Sequence, residues 1–332
     1  MPCLINIYND ILKDFSKEIY NKSKVLSRSL KMKGGTILLI SVYRESLLAE
    51  ISLSIYNDDC KSIGKLPKWK GMDEKVSFIK YGQGERLFIS FRQSRDYDQK
   101  IYFTIIQDIV NEIKDITEKD MIYKLKEVLY KWSTFFEFEK EYVLSNNAQQ
   151  GLYSELYILE NMISVKDSSI VNCWTGCNSE DHDFYIGKNA VEIKSSAGKR
   201  PNKIKINNEY QLDTVGINGK LYLLYIELRK SEVYGENLPT IVDRIMEKLN
   251  PSEIIKFKNK LIKVGYLYQL PELYKINFII KGESCYNVIE GFPRITKDSI
   301  NKGIGSVSYM LSLDACEPFL MTIEDFYKEV LF

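Results

Sequence analysis

The sequence predicts an α/β (α+β) protein in which helices flank a central sheet and a smaller α+β domain precedes it. Three observations predict this class. Apolar residues recur at helical spacing in several segments and alternate at strand spacing in others. The run KLYLLYIEL at 220–228 is apolar almost throughout, as in a strand that is covered on both faces. The chain has 332 residues and exceeds a typical single domain, so we expect two domains, at 1–117 and 118–332.

The first domain is predicted to contain a leading helix, a small antiparallel sheet and a closing helix. Residues 4–31 carry apolar side chains at helical spacing, which indicates the leading helix, and helical spacing returns at 99–115. Short alternating or apolar runs predict strands at 36–43, 47–56, 75–81 and 86–92. No catalytic cluster occurs here. We expect a role in substrate or partner recognition, with a stabilising appendage as the alternative.

The second domain is predicted to mix helices with strands. Helical spacing at 119–142, with Trp132 on the apolar stripe, leads to another helix at 151–163, and Trp132 is expected in the core rather than against a base. Residues 203–213 predict a strand and then a helix that opens at about Asn207 or Asn208. Further helices are predicted at 239–249 and 251–263, and strands near 274–281, 285–290 and 305–313.

The stretch DHDFYIGKNAVEIKSS, from Asp181 to Ser196, predicts a β-hairpin with polar groups gathered on one face. Glu192 and Lys194 share a face of the second strand because side chains alternate along a strand. A two-residue turn, with 186 opposite 189 or 187 opposite 190, sets Asp183 across from Glu192 or Lys194. A three-residue loop would send the carboxylate to the other face. The hairpin is therefore predicted in one of the two registers that have a two-residue turn.

Two carboxylates and a lysine in this arrangement suit hydrolysis of a phosphodiester. Asp183 and Glu192 would repel each other unless a cation lay between them, and a hard divalent ion such as Mg²⁺ prefers oxygen ligands. Such an ion polarises a phosphoryl oxygen and stabilises the leaving oxygen. Lys194 would hold the scissile phosphate or lower the pKa of the attacking water.

The pattern has an alternative interpretation, which is a solvated, salt-bridged ribbon. The same spacing also occurs at Asp108, Glu112 and Lys114. There the apolar residues repeat at helical spacing, so that copy predicts an amphipathic helix with solvated charges. Only the copy at 183–194 combines strand alternation with a turn between its halves.

Neighbouring residues favour a functional site. Glu155 lies next to the apolar stripe of the 151–163 helix and could reach the hairpin from a helix packed on the sheet. Gln211 falls in the first turns of the helix predicted after 207, where its amide could bind a metal-bound water or a phosphate. Between 188 and 205 the single acid is Glu192, and such a basic stretch suits a polyanion. Its basic residues are Lys188, Lys194, Lys199, Arg200, Lys203 and Lys205.

Glu155, Asp183, Glu192-Ile193-Lys194 and Gln211-Leu212-Asp213 together resemble the PD-(D/E)xK nuclease superfamily, the restriction-endonuclease-like fold. More narrowly, the chain resembles a family of bacterial PD-(D/E)xK-motif proteins found among restriction and phage-defence genes. The resemblance covers roughly the C-terminal two thirds of the chain. The matching segments are Trp132, GLYSEL at 151–156, Trp174-Thr175-Gly176, DF at 183–184, VEIKSS at 191–196, QLD at 211–213, GFPRI at 291–295 and GIGSVSYMLSL at 303–313.

The resemblance implies a four-stranded mixed core sheet flanked by helices. It implies Asp183 and Glu192 as metal ligands, with the backbone carbonyl of Ile193 completing the shell, and Lys194 as the group that positions water. Glu155 would be an additional ligand or acid, and Gln211 would assist. The implied cofactor is Mg²⁺, with Mn²⁺ as a substitute. One departure is that His182 precedes Asp183 where the motif has proline, a position that often varies in the superfamily.

The expected function is therefore that of a Mg²⁺-dependent endodeoxyribonuclease in a bacterial restriction or anti-phage system. One alternative is a nuclease-fold DNA-binding or scaffold subunit that does not cut. Another is an interaction protein recruited to a defence complex through its N-terminal domain. The expected partners are DNA, a second copy of the chain, and a helicase, methyltransferase or ATPase of the same defence system.

Composition argues against several other classes of protein. The formal net charge is only +1, so any surface for nucleic acid must be local. No apolar run approaches the length of a membrane span and the N-terminus does not resemble a signal peptide, so a soluble, cytoplasmic protein is expected. The six cysteines are scattered and the single histidine is His182, which argues against a zinc site and a Ser-His-Asp hydrolase. No G-x-x-x-x-G-K-[ST] loop for ATP occurs.

Overall fold

The structure is a computed structural model that describes residues 2–56, 66, 71–95, 97–138, 144–178, 180–198 and 203–332. The chain divides into two compact units, Met1–Tyr142 and Val143–Phe332. The predicted boundary after residue 117 is placed too early, because the following helix belongs to the first unit. Each unit mixes helices with a β-sheet, which confirms the predicted α/β (α+β) class.

The first unit is built on a five-stranded antiparallel sheet. Its strands are β1 (Val25–Lys31), β2 (Ile37–Tyr43), β3 (Ala49–Ser54), β4 (Met72–Tyr81) and β5 (Gly84–Gln93), and its helices are α1 (Leu4–Asp14), α2 (Gln99–Ile113) and α3 (Glu118–Phe138). The strands lie in the order β1-β2-β3-β5-β4. Trp132 is buried on α3, and its indole nitrogen donates a hydrogen bond to Asp108 on α2 at 2.9 Å. Asp108 and Glu112 lie on α2, and Lys114 directly follows it. The competing Asp-Glu-Lys copy is therefore on a helix, as predicted.

The predicted leading helix over 4–31 is wrong in its second half. Helix α1 ends at Asp14, and Val25–Lys31 forms the edge strand β1, which pairs antiparallel with β2. From Val25 onwards, burial changes from residue to residue in the two-residue period of a strand. A hydrogen bond of 2.8 Å between the hydroxyls of Ser27 and Ser41 links the paired strands. Cross-strand pairing thus overrides the helical spacing of the apolar residues.

The second unit contains a five-stranded mixed sheet. Its elements are α4 (Asn146–Val165), β6 (Phe184–Ile186), β7 (Asn189–Ser196), β8 (Lys203–Ile206), β9 (Leu221–Ser231), α5 (Leu238–Lys248), α6 (Pro251–Lys263), β10 (Asn277–Asn287), β11 (Tyr309–Ser312), β12 (Leu320–Met321) and α7 (Ile323–Leu331). The strands lie in the order β12-β10-β9-β7-β6, and β7 runs parallel to β9. The two-residue strand β12 is the addition to the four strands that the resemblance implies. Strands β8 and β11 pair as a separate ribbon.

Strand β9 is buried on both faces, as its apolar run predicts. On one face, Tyr222, Leu224 and Ile226 join a core that includes residues of α4, α5, α6 and α7. On the other face, Leu221 and Leu223 pack with apolar residues of β8 and β11. Because β7 lies beside β9 in the sheet, this burial fixes the strand that carries the Glu-x-Lys motif.

The helices of the second unit begin at polar caps. The Ser145 hydroxyl accepts a hydrogen bond from Ala148 N at the start of α4. Asn237 caps α5 in the same way, and Asn250 forms a reciprocal capping box with Glu253 at the start of α6. The predicted helices at 151–163, 239–249 and 251–263 therefore agree with the structure.

Two predictions in the second unit are wrong. The segments 274–281 and 285–290 form one strand, β10, with a bulge between Ile280 and Gly282, rather than two strands. The segment after Asn207 is a series of turns and not a helix. The Asn208 side chain accepts hydrogen bonds from Tyr210 N and Gln211 N at 2.9 and 3.1 Å, and such local bonds favour a turn over a continuing helix.

Among the described residues, no helix combines the length and apolar character needed to span a membrane.

Free thiols are carried by Cys3, Cys173, Cys177, Cys285 and Cys316.

Candidate active site

The hairpin adopts one of the two predicted registers. Ile186 lies opposite Asn189 and Phe184 lies opposite Val191, so the same register places Asp183 level with Glu192. Gly187 begins the two-residue turn with φ of +61°, a left-handed conformation that glycine adopts without strain. The register prediction is confirmed.

Asp183 is fixed by its side chain and by its backbone. One carboxylate oxygen, Oδ2, accepts a hydrogen bond of 2.7 Å from Ile193 N on β7. The backbone oxygen of Asp183 accepts hydrogen bonds from Thr175 N and Gly176 N at 2.8 and 3.0 Å. The Trp174-Thr175-Gly176 segment is therefore anchored on the residue that carries the first carboxylate.

Glu155 approaches Asp183 from helix α4. Its Oε2 accepts a hydrogen bond of 2.8 Å from the indole nitrogen of Trp174. A methyl group added to Gly176 would lie 3.0 Å from Glu155 Oε2 and 3.0 Å from Asp183 Oδ1. The two carboxylates thus converge on a small space that is open because residue 176 is a glycine.

Helix α4 is held in place by contacts with strand β7 and with helix α5. Near its start, the Gln150 amide donates a hydrogen bond of 3.2 Å to the backbone oxygen of Ser195 on β7. Further along, Glu160 forms ion pairs with Arg244 and Lys248 on α5, at 2.6 and 2.7 Å. These contacts flank Glu155 in the sequence of the helix and limit its movement relative to β7.

Glu192 and Lys194 form an ion pair on one face of β7. The distance from Lys194 Nζ to Glu192 Oε1 is 2.6 Å. The Lys194 side chain is 13% exposed and the Glu192 side chain is 1% exposed. Burying an ion pair is favourable only if both charges are compensated. Lys194 therefore offsets part of the cost of burying a charged Glu192 carboxylate, but desolvation and the Asp183 charge outweigh it.

The electrostatics of the site favour neutral carboxyls unless a cation is near. Desolvation raises the pKa of Glu155, and the neighbouring Asp183 carboxylate raises it further. The same two causes raise the pKa of Glu192 to about 8. Desolvation also raises the pKa of Asp183. For Lys194, desolvation acts against the charged form, but the Glu192 and Asp183 carboxylates outweigh it and the pKa is raised.

A cavity of about 760 Å³ brings most of the predicted site residues together. Its walls include Glu155, Asp183, Ile193, Lys194 and Gln211. Glu192 is buried behind Lys194, which connects it to the cavity. Gln211 reaches the cavity from a turn instead of the predicted helix, and its Oε1 accepts a hydrogen bond of 2.8 Å from Asn207 N.

The basic stretch contributes only in part to this cavity. Lys203 and Lys205 lie in its wall, as does Lys230 from β9. Lys188 lies at the hairpin turn and lines a different groove. Lys199 and Arg200 fall outside the described residues.

His182 and Arg294 have structural partners. His182 is 3% exposed, and its Nδ1 lies 3.0 Å from the hydroxyl of Tyr185. His182 is therefore a buried neighbour of the hairpin. Arg294 donates a hydrogen bond of 2.6 Å to the backbone oxygen of Leu212, which ties the GFPRI segment to the QLD turn.

The site has the composition for a hard divalent cation, although the ligands are not assembled as a set. Among the described residues, no group of three or more His, Cys, Asp and Glu side chains is arranged to hold a metal ion. The carboxylates of Glu155, Asp183 and Glu192 nevertheless offer only oxygen donors, the ligands that Mg²⁺ prefers. When all three are ionised, Lys194 balances one charge and leaves two negative charges. The open space beside Gly176 is where two of these carboxylates meet. The residues therefore fit such an ion.

Sequence reasoning missed two parts of the site. Trp174 orients Glu155, and Gly176 leaves the space between Glu155 and Asp183. Both residues belong to the Trp-Thr-Gly segment noted for its resemblance, but nothing in their spacing indicates a contact with a helix some twenty residues earlier.

A mixed sheet with two facing carboxylates, a lysine two residues beyond the second, and a glutamate from the preceding helix defines a protein of the restriction-endonuclease-like, PD-(D/E)xK class. A family model described as "Putative PD-(D/E)XK family member, (DUF4420)" matches residues 31–314, and the chain belongs to this family. The match begins in the first unit and thus extends beyond the two thirds of the chain covered by the motifs. No curated protein and no solved structure matches the chain.

Proposed function

We propose that this chain is a Mg²⁺-dependent endonuclease that hydrolyses DNA phosphodiester bonds, acting in the cytoplasm of a bacterium as part of a restriction or anti-phage system. The observation that carries the proposal is the convergence of Glu155, Asp183 and Lys194 on one cavity, with Glu192 paired to Lys194 directly behind it. Membership of the PD-(D/E)XK family supports nuclease chemistry at this position.

The cation would be held by Asp183, Glu192 and Glu155, with Mn²⁺ able to replace Mg²⁺. The backbone carbonyl of Ile193 is the further candidate ligand, since the N–H and C=O of one residue point to the same edge of a strand and Ile193 N points to Asp183. When bound, the ion would polarise the phosphoryl oxygen and stabilise charge on the leaving oxygen.

The protein's own groups would position the substrate and the attacking water. Because the pKa of Lys194 is raised, its side chain is charged at neutral pH and acts as a cation rather than as a base. It would contact a phosphate oxygen and orient the water. Gln211 Oε1 is occupied by Asn207 N, which leaves the amide nitrogen to donate towards the phosphate.

DNA is the proposed substrate because the cavity wall is basic. Lys203, Lys205 and Lys230 line the same cavity as Glu155 and Asp183, although the whole chain has a net charge of only +1. A double-strand cut would require a second copy of the chain. A helicase, methyltransferase or ATPase of the same defence system would supply the selection of target DNA.

A second candidate function is a DNA-binding or scaffold subunit that does not cut. The observation that favours it is the position of the Lys194 ammonium, which lies 2.6 Å from Glu192 Oε1 and so occupies a carboxylate oxygen that a metal would need. The lack of an assembled group of three metal-ligating side chains among the described residues favours it as well.

Plasmid cleavage separates these functions. Purified protein is incubated with supercoiled plasmid and Mg²⁺ or Mn²⁺, beside the Lys194→Ala variant and the Lys302→Ala variant, which removes an exposed lysine outside the cavity. The wild type and Lys302→Ala should nick the plasmid, and Lys194→Ala should be slower by about a hundredfold, as for loss of one group that stabilises transition-state charge. Absence of nicking with either metal, with equal retention of DNA by all three proteins, would establish the non-cutting binder.

A further inference from the structure

Strand β4 forms one edge of the sheet in the first unit. It pairs with β5 over ten residues, Met72–Tyr81, in one continuous register. In the part of the chain that the structure describes, no strand pairs with its other side. The outer N–H and C=O groups of an edge strand can pair with a strand of another molecule, and a proline or a bulge often prevents this. Strand β4 contains no proline, and its pairing with β5 shows no bulge.

The direction of the backbone identifies the residues of β4 that face outwards. Ser94 N donates a hydrogen bond of 2.8 Å to the backbone oxygen of Gly71, so Gly71, directly before β4, points towards β5. The N–H and C=O of one residue point to the same edge of a strand, and this edge alternates from residue to residue. The outward-facing backbone groups of β4 therefore belong to Met72, Glu74, Val76, Phe78 and Lys80.

The side chains of these residues share one face of β4, and apolar surface on that face reaches the edge of the sheet. Phe78 is 59% exposed, although Leu87, its neighbour on β5, is 2% exposed. Val76 is half-buried beside Ile89, which is fully buried. A further strand beside β4 would cover the exposed part of this surface.

The sequence of β4 is complementary to itself in an antiparallel pair. A two-fold axis through Ser77 places Val76 opposite Phe78 of a second copy, and it places Glu74 opposite Lys80. Pairs of a β-branched residue with an aromatic ring and pairs of opposite charge both stabilise antiparallel strands. The backbone groups of these paired residues face outwards, so the two members of each pair can exchange hydrogen bonds.

Neighbouring registers lose this match. An axis through Val76 places Glu74 opposite Phe78, and an axis through Phe78 places Val76 opposite Lys80. Each of these registers sets a charged side chain against an apolar one. The sequence therefore favours the axis at Ser77.

The other edge of the sheet, β1, lacks this complementarity. It carries Arg28 and Lys31 but no acid, so two copies of β1 cannot form ion pairs with each other. Pairing of β1 with β4 would leave one open edge of each kind, and assembly would continue. Pairing of β4 with β4 closes as a dimer.

We infer that β4 pairs with β4 of a second copy of this chain, in a two-fold-symmetric dimer that joins the two five-stranded sheets edge to edge. Such an interface uses the same surface on both molecules, as is usual in homodimers. It would supply the second copy that a double-strand cut requires. The inference rests on the first unit and does not depend on metal binding or on nuclease chemistry.

The oligomeric state of the full-length protein tests the inference. Sedimentation velocity in metal-free buffer, over a series of protein concentrations, should show an equilibrium between monomer and dimer. Lys80→Glu sets two acids opposite each other and should weaken the dimer about tenfold, whereas adding Glu74→Lys reverses the ion pair and should restore it. The matched control is Lys31→Glu, the same change at an exposed lysine of β1, which should leave the equilibrium unchanged.

A proline tests the pairing of the backbones. Because the N–H of Val76 faces outwards, Val76→Pro removes a hydrogen bond to the second copy without removing one to β5. This variant should be monomeric and should keep native circular dichroism. The charge variants still test the interface if Val76→Pro does not fold.

A cysteine at the axis tests the register. The two copies of residue 77 would form a non-hydrogen-bonded pair with Cα atoms about 4.5 Å apart, which is within the range of a disulfide. Ser77→Cys should therefore give a covalent dimer when it is oxidised with glutathione disulfide. Lys75→Cys, two residues from the axis, should not exceed the background of the wild type, which has an exposed thiol at Cys3.

The dimer and the nuclease can fail separately. Lys194→Ala, which should lose nicking, should dimerise like the wild type. Three results would overturn the inference. They are a monomer at every concentration, a dimer of unchanged affinity in Lys80→Glu or in folded Val76→Pro, and cross-linking of Lys75→Cys in preference to Ser77→Cys.

Discussion

The ammonium of Lys194 lies 2.6 Å from the carboxylate of Glu192, its neighbour on the same face of β7. The register of the hairpin places Asp183 beside this pair, and helix α4 adds Glu155. Lys194 can balance only one of the three carboxylates. Lys194 therefore offsets only part of the cost of burying these carboxylates, and a further cation would be needed to hold all three in the ionised form.

Divalent cations should stabilise the protein against unfolding. A ligand that binds only the folded state adds about 2.7 kcal/mol at a concentration one hundred times its dissociation constant. We expect Mg²⁺ or Mn²⁺ to raise the unfolding temperature of the wild type, measured by scanning calorimetry after chelator treatment. Asp183→Asn and Glu155→Gln should lose most of this increase, and Glu290→Gln, at an exposed position, should retain it. An equal increase in all four proteins would show that the ion binds elsewhere.

A methyl group at residue 176 should interfere with the site without unfolding the protein. In Gly176→Ala the new carbon would lie 3.0 Å from oxygens of both Asp183 and Glu155, so one carboxylate must move. We expect weaker stabilisation by Mn²⁺ and slower plasmid nicking, with native circular dichroism. The matched control is Gly151→Ala, which adds the same methyl group to the wall of the same cavity with no atom within 4 Å apart from its chain neighbours and the backbone of its own helix. If both variants bind Mn²⁺ like the wild type, the space beside Gly176 has no role.

The raised pKa of Glu192 predicts a dependence of stability on pH. This carboxyl has an ordinary pKa of 4.5 and a folded-state pKa of about 8, so the folded protein keeps a proton that the unfolded chain releases. Its contribution to stability is present below pH 4.5 and is lost as the pH rises through 8. In metal-free buffer, the unfolding temperature of the wild type should therefore fall with rising pH more steeply than that of Glu192→Gln. A wild type whose stability rises with pH relative to this variant would mean that Lys194 lowers the pKa of Glu192 instead.

Local patterns in the sequence predicted the hairpin well, because its register depends on a short turn and on a two-residue period. These patterns failed where the structure depends on contacts between residues far apart in sequence, or on a side chain that stabilises a local turn. Val25–Lys31 keeps apolar residues at helical spacing but pairs with β2. The turn at Gln211 is set by the Asn208 side chain, which the sequence suggested as a helix cap. The contact of Trp174 with Glu155 depends on the packing of α4, which no spacing rule contains.

The ribbon formed by β8 and β11 should contribute phosphate contacts to DNA binding. Lys203 and Lys205 are exposed on one face of β8, while Ile204 and Ile206 are buried beneath them. Met310, 60% exposed, lies opposite Lys205 and also lines the cavity that contains Asp183. The ribbon therefore presents two cations at the wall of the site, where a DNA backbone would pass in the proposed complex.

The salt dependence of DNA affinity measures these contacts. Each phosphate contact contributes about 0.9 to the slope of log K against log salt concentration for duplex DNA. Fluorescence anisotropy with a labelled duplex in EDTA, which prevents cleavage, should give a slope that is shallower by about 1.8 in the Lys203→Ala/Lys205→Ala variant than in the wild type. Lys302→Ala should retain the wild-type slope. An unchanged slope in the double variant, with normal folding, would show that DNA does not follow the ribbon, whether or not the cavity cuts.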